Sequence, residues 1–183
     1  MKTFYAIKEY FHKVALNKQL KTVVASRDFV NMENARSVGI LYDATLPNNN
    51  IIVTKFAEKL KLNNKKVNVL GYVDDKKSET HPLNPLFNNK DLNWFLLPSN
   101  DKIKHFINEE FDILINAFIG ERLPLEYISA LSKAKYRVGP YSESKTHCYE
   151  LMINMGEKQD LQYLLDQISF YLKVFNKKDA ISA

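Results

Sequence analysis

The stretch VGILYDATLPNNN, Val38–Asn50, decides how the chain is read. Apolar residues flank Gly39, an acid follows at Asp43, and a polar bend with Pro47 leads into the apolar run IIVTKFAEKLKL. That is strand, loop and helix in succession. In an open α/β protein the loop after the first strand is where ligands are usually gripped, so its composition bears directly on function. A dinucleotide cradle needs G-x-G-x-x-G there, because only glycine lets the backbone approach a pyrophosphate, and a phosphate-cradling NTPase needs G-x-x-x-x-G-K-[ST]. Neither pattern is present. Gly39 lies inside the strand, the loop Ala44–Asn50 has no glycine, and the five glycines of the chain stand singly. Nucleotide binding by either cradle is not expected, and no cofactor is implied.

Outward from this stretch the text alternates. Phe4, Ile7, Phe11 and Val14 recur at spacings of three and four, which predicts an amphipathic helix over about residues 3–17. An irregular connector leads to a first strand at about Ser37–Tyr42, and a helix over about 50–62 carries Val53, Phe56, Ala57 and Leu60 on one side. VNVLGYV reads as a second strand, the polar segment 74–91 as a long loop, WFLLP as a third strand, and Ser99 as the N-cap of a short helix to about Glu109. FDILINAFI, YRVGPY and CYELMINM follow as strands. A helix with Pro124 near its start separates the first two, and Leu161, Leu164, Leu165, Ile168 and Leu172 mark a closing helix. Short apolar strands alternating with helices predict a three-layer α/β sandwich, a mostly parallel Rossmann- or flavodoxin-like sheet of about six strands. The expected organisation is a basic helical extension, 1–36, on a single domain, 37–183.

The 183 residues, 45% hydrophobic and 26% charged, fit one globular domain. No window approaches a membrane span. The start is interrupted by Lys8, Glu9, His12 and Lys13 where a signal peptide needs an unbroken apolar stretch, so a cytoplasmic chain is expected. Cys148, the one cysteine, reads as a small buried hydrophobe. The formal charge is +5, and residues 1–36 hold seven cations against three acids, so this segment alone contributes +4. Such asymmetry marks either an arm that touches nucleic acid or an acidic surface, or a solvated lysine-rich helix.

Candidate site residues are few. Asp43 and Thr45 end the first strand, where a carboxylate holds a ligand or caps the following turn. Asn48, Asn49 and Asn50 read first as turn and N-cap chemistry. His12, His81, His105 and His147 lack the spacing of a helical zinc site and no C-x-x-C occurs, so metal binding is not supported. His147 and Cys148 are adjacent and would face opposite ways in a strand. Arg137, Gly139, Ser142, Ser144 and Lys145 could bind an anion at the carboxyl edge of the sheet, the alternative for Arg137 being a pair with Glu143 or Asp112.

The segments ARSVGILYDAT, VNVLGYVDDKK, DLNWFLLP, FDILINAFIGERLPLEYISALSKAKYRVGPY and YELMINM resemble a family of uncharacterised single-domain α/β proteins, a domain of unknown function common in Bacteroidetes. The resemblance runs over nearly the whole chain and implies no activity. Asp112, Arg137 and Gly139 are also similar to the acceptor-side domain of heptosyltransferase-like sugar transferases. Those enzymes have a glycine-containing loop after the first strand and a nucleotide-sugar domain, and this chain has neither.

The leading expectation is a non-enzymatic protein attached through its basic arm to an acidic partner, RNA or a ribonucleoprotein surface. Lys8, Lys13, Lys18, Lys21, Arg27 and Arg36 would contact phosphate, and Phe4, Ile7 and Phe11 would dock the helix on protein. The alternative is a small-molecule enzyme or sensor using the crevice over the strand ends, lined by Asp43, Thr45, Arg137 and Ser142. A third reading is a homo-oligomer buried through the N-terminal helix.

Overall fold

The computed structural model describes residues 2–76 and 84–175, with the side chains of residues 2–4 excluded. The chain runs α1 (Lys2–Leu20), β1 (Ser37–Asp43), α2 (Pro47–Leu62), β2 (Lys66–Val73), β3 (Leu86–Asn88), α3 (Asp101–Asn108), β4 (Ile113–Ala117), α4 (Leu123–Leu131), β5 (Tyr136–Pro140), β6 (Leu151–Ile153) and α5 (Leu161–Val174). All named strand pairings are parallel and the order is β3-β2-β1-β4-β5-β6. The order reverses between β1 and β4, the switch point of a Rossmann-type sheet.

The central strands are buried throughout, as a doubly covered parallel sheet requires: every residue of β4 and β5 is buried. One core lies between the sheet and α2, α5 and the connector, centred on Ile40, Tyr42, Val53, Ile115, Leu165 and Ile168. The other lies under α1, α3 and α4, with Leu41, Leu70, Phe111, Leu114, Leu125 and Ile128. Gly39 belongs to this packing. A Cβ there would meet the Phe111 ring at 2.7 Å, so the glycine makes room for an aromatic plug under the sheet.

Two expected elements are displaced. WFLLP is not a strand: Asn93 Oδ1 accepts from the amides of Phe95 and Leu97, and Leu96 sits at φ 60, so the segment is a tight turn. The third strand is instead Leu86–Asn88, three residues inside the polar segment, paired with β2 through Gly71↔Leu86 to Val73↔Asn88. The third helix is capped by Asn100, whose side chain accepts from Ile103 N at 2.9 Å, and not by Ser99. Pro47 opens α2, so Asn49 and Asn50 fall in its first turn and their amides return to the carbonyls of Asp43 and Ala44.

The extension folds onto its own domain. Among the described residues of α1, His12 and Leu16 are buried, packed near α4, where the Tyr127 hydroxyl donates to Gln19. His12 Nδ1 lies 3.1 Å from the Phe95 carbonyl. Residues 21–36 then cross the amino edge of the sheet: Asp28 N donates to the Lys135 carbonyl at 3.1 Å, Met32 N to the Leu172 carbonyl at 2.8 Å, and Met32 and Ala35 enter the core.

Candidate functional site

The switch-point crevice is the first place to look, and its charges face one another. Asp43 ends β1 with a side chain 9% exposed; its Oδ2 accepts from Arg122 Nε at 2.7 Å and its Oδ1 from the Thr45 amide at 3.0 Å. Thr45 Oγ1 accepts from the Asp74 amide at 3.0 Å, tying the loop after β1 to the end of β2. The acid thus caps its turn and fixes Arg122, which lies in the loop between β4 and α4. Sequence reasoning passed over Arg122. The available signal was opposite charge on the two loops that follow β1 and β4, but it becomes visible only once those strands are known to be neighbours.

Arg137 is corrected from a crevice residue to an internal strut. In the register it is level with Leu114 and hence with Gly39, four residues short of Asp43 along the strands. Its side chain is 6% exposed, forms a fork with Glu150 through Nη2 at 2.6 Å and Nε at 3.0 Å, and donates Nη1 to the carbonyls of Ser129, Ala130 and His147. The expected partners Glu143 and Asp112 are not used; Asp112 pairs with Lys135 at 2.8 Å. Burial opposes ionisation of Asp112, but hydrogen bonds from Lys135 and from the amides of Arg36 and Ser37 outweigh it and hold the carboxyl down at about 2.

Ser142 is set apart from both. Its hydroxyl meets Ser144 Oγ at 3.1 Å, and it lines a cavity of about 310 Å³ over the ends of β4, β5 and β6 with Tyr141, Asn154 and Gln159. Lys145 at the base of that cavity is committed to Glu126 at 2.8 Å and to the Gly120 carbonyl at 2.6 Å. Cys148 Sγ is 3.7 Å from the Glu126 carbonyl, and burial, with Glu126 adding to it, pushes the thiol up to about 12. Burial also lowers His12 and His147 below the ordinary imidazole value. Among the described residues no group of three His, Cys, Asp or Glu is placed to hold a metal ion. His81 lies outside the described residues.

The basic arm divides. Arg27 departs from the expectation of a phosphate contact: its Nη1 donates to the Ala134 carbonyl, Nη2 to the Ser132 carbonyl at 2.8 Å, and Nε lies 3.7 Å from Glu150. It pins the connector to the loop before β5. Arg36 is exposed at the head of β1, on a different element from the helix. Lys8 Nζ stands 5.5 Å over the Trp94 ring. Lys13 pairs with Glu9 within the helix at 2.6 Å, and Lys18 and Lys21 are exposed.

The described part of the expected docking stripe is half exposed. Ile7 is 43% and Phe11 44% exposed, joined by Tyr10 and Val14, and the Phe11 ring touches Phe95 at a centroid distance of 5.3 Å. The side chain of Phe4 lies outside those described. The spacing 7, 11, 14 continues to Lys18, and Lys21 follows in the turn just beyond α1, so the outward face passes from aromatic to basic. The face that docks is His12 and Leu16, which apolar periodicity missed because its central residue is a histidine.

Set beside known proteins, the chain matches a family model over nearly its whole length. The protein belongs to the family of unknown function DUF6913. The family model matches residues 8–175. No curated protein is significantly similar in sequence. Among solved structures, a family 9 glycosyl transferase from Veillonella parvula is similar over 76% of this chain and 42% of that one, at 13% identity and a TM-score of 0.44. S. aureus homoserine dehydrogenase is similar over 75% of this chain and 31% of that one, at 15% identity and a TM-score of 0.33. The chain therefore spans less than half the length of either structure, and at these values the likeness carries no argument about function. No helix among the described residues is long and apolar enough to cross a membrane.

Proposed function

We propose that this DUF6913 protein is a non-enzymatic binding module that attaches to RNA, free or at a ribonucleoprotein surface, through the outward face of α1. The observation that carries this reading is the stripe left over when α1 docks through His12 and Leu16: Ile7, Tyr10, Phe11 and Val14 exposed beside Lys13, Lys18 and Lys21, with Trp94 half exposed next to them. Sequence-independent binders of single strands combine cations that follow the backbone with aromatic faces on which bases stack. The charges supply affinity and the rings tolerate any base, so recognition is not base-specific. The alternative, a ligand held in the switch-point crevice, is disfavoured because Asp43 and Arg137 are committed to internal partners and lie apart along the sheet.

Trp94 is the only tryptophan of the chain, so its fluorescence reports on this face alone. Titration with a short oligouridylate at low salt should quench it. With about three lysines on phosphate, the logarithm of the affinity should fall by roughly 2 per tenfold rise in salt. Replacing Lys13, Lys18 and Lys21 by Ala should flatten that slope, and Tyr10→Ala should weaken binding without changing it. Absence of binding at low salt, or binding that survives the triple substitution unchanged, overturns the proposal.

A further inference from the structure

A cavity of about 460 Å³ opens at the amino edge of the sheet, between the C-terminal halves of α2 and α5 and the connector, at the opposite edge from the switch-point crevice. Its floor is apolar: Met32, Phe56 and Leu60 are all more than nine-tenths buried and belong to the core below. Its rim holds Lys59, Lys65 and Lys173 against the single acid Glu33, together with Asn63 and Ser169.

The three lysines differ in what they already do. Lys65 Nζ donates to the carbonyls of Glu33 and Ala35 and so fixes the connector along one wall. Lys59 and Lys173 are exposed, and neither has an ion-pair partner among the described residues, although Lys61, two residues from Lys59, pairs with Glu58 at 2.9 Å. Lysines in the last turn of a helix offset the negative end of its dipole, which accounts for Lys59 on α2 and for Lys173 on α5 taken singly. It does not account for their convergence, with Lys65 from a loop, around one apolar hollow. A hollow of this size with an apolar floor and a few convergent polar groups is the usual form of a small-molecule site.

We infer that this cavity binds an amphipathic anion, an aliphatic carboxylate whose apolar chain lies on Met32, Phe56 and Leu60 and whose carboxylate meets Lys59 and Lys173. The charge on the rim selects the sign of the head group, and the floor selects an apolar body over a free sugar or phosphate. The site is independent of the outward face of α1 and stands or falls separately from the proposed RNA contact.

Decanoate, held below its micelle concentration, is the probe, with decylamine and decanol as the cationic and neutral matches. Chemical shifts of the Met32 methyl locate binding, since it is the methionine lining this cavity. Decanoate should shift that methyl saturably, decanol more weakly and decylamine least. Lys59→Gln with Lys173→Gln keeps the stems, spares the fold and should weaken decanoate by about five- to tenfold while leaving decanol unchanged. Ser169→Phe, which fills the mouth, should abolish the shift for all three. Equal binding of decanoate and decylamine, indifference to the paired lysine substitution, or no shift of Met32 overturns the inference.

Discussion

At the carboxyl edge of the sheet Asp43 holds Arg122 and the Thr45 amide, and Thr45 in turn holds the amide of Asp74. At the amino edge Lys59 and Lys173 stand over Met32, Phe56 and Leu60 with no acid paired to either among the described residues. An open α/β sheet concentrates ligand chemistry at the first edge, where the strands point their ends into the crevice. Here the charges described at that edge join loops to one another, and the two lysines over the apolar hollow stand at the other. Position in a fold indicates where polar residues gather; only their partners show whether they remain available to a ligand.

The contrast can be broken most sharply at Arg137. If it is a strut, Arg137→Ala takes the guanidinium donors from Glu150 and from three carbonyls and should cost about 3 kcal/mol in urea unfolding. A loss under about 1 kcal/mol would return Arg137 to the class of available cations.

Asp112 tests the amino edge, where one acid does carry structure. Its carboxyl sits at about 2 in the fold against an ordinary value near 3.8, so its contribution is present above about pH 4 and is lost as pH falls toward 2. Screened by solvent, that contribution is about 1 kcal/mol, and Asp112→Asn should flatten the acid limb of stability against pH by that amount. An unchanged acid limb would mean that Lys135 and the two amides do not hold the charge.

Asp43→Ala is of similar size, at about 1–2 kcal/mol, since it removes a turn cap and a partly exposed ion pair together. Arg122→Ala in the same background should add little, because the two act as one unit; full additivity would show that they do not. The smallest effect is expected for Lys13, Lys18 and Lys21 replaced together by Ala, under about 0.5 kcal/mol on thermal unfolding. A larger loss would place these lysines among the structural cations with Arg27.

The sequence made the central strands readable, because Ser37–Asp43, Ile113–Ala117 and Tyr136–Pro140 are dense apolar runs of the kind a doubly covered parallel sheet requires. Leu86–Asn88 was not readable. Three residues carry no periodicity, and this edge strand exists because Gly71 and its neighbours offer it a free ladder. Trp94–Leu97 misled in the other direction, since an apolar run reads as a strand until Asn93 bends it. For the candidate site, the acid at the end of β1 was found and its capping role foreseen as one alternative. Arg122, Glu150 and the lysine-rimmed cavity depend on strand order and on which helices share a face, and local spacing contains neither.

The connector also governs when the domain can be completed during synthesis. Met32, near the start of the chain, donates its amide to the carbonyl of Leu172, and the core beneath α2 is shared with Leu161, Leu164, Leu165 and Ile168 of the last helix. A chain that has emerged only through β6 already holds the described strands of the sheet but leaves the face that carries α2 half covered, without Leu161, Leu164, Leu165 and Ile168 of α5. Nascent chains arrested before Leu161 should therefore be cut readily by protease, and those extended past Phe175 should resist. The connector and α5 close the same seam, so the face that carries α2 is sealed only once α5 has joined it.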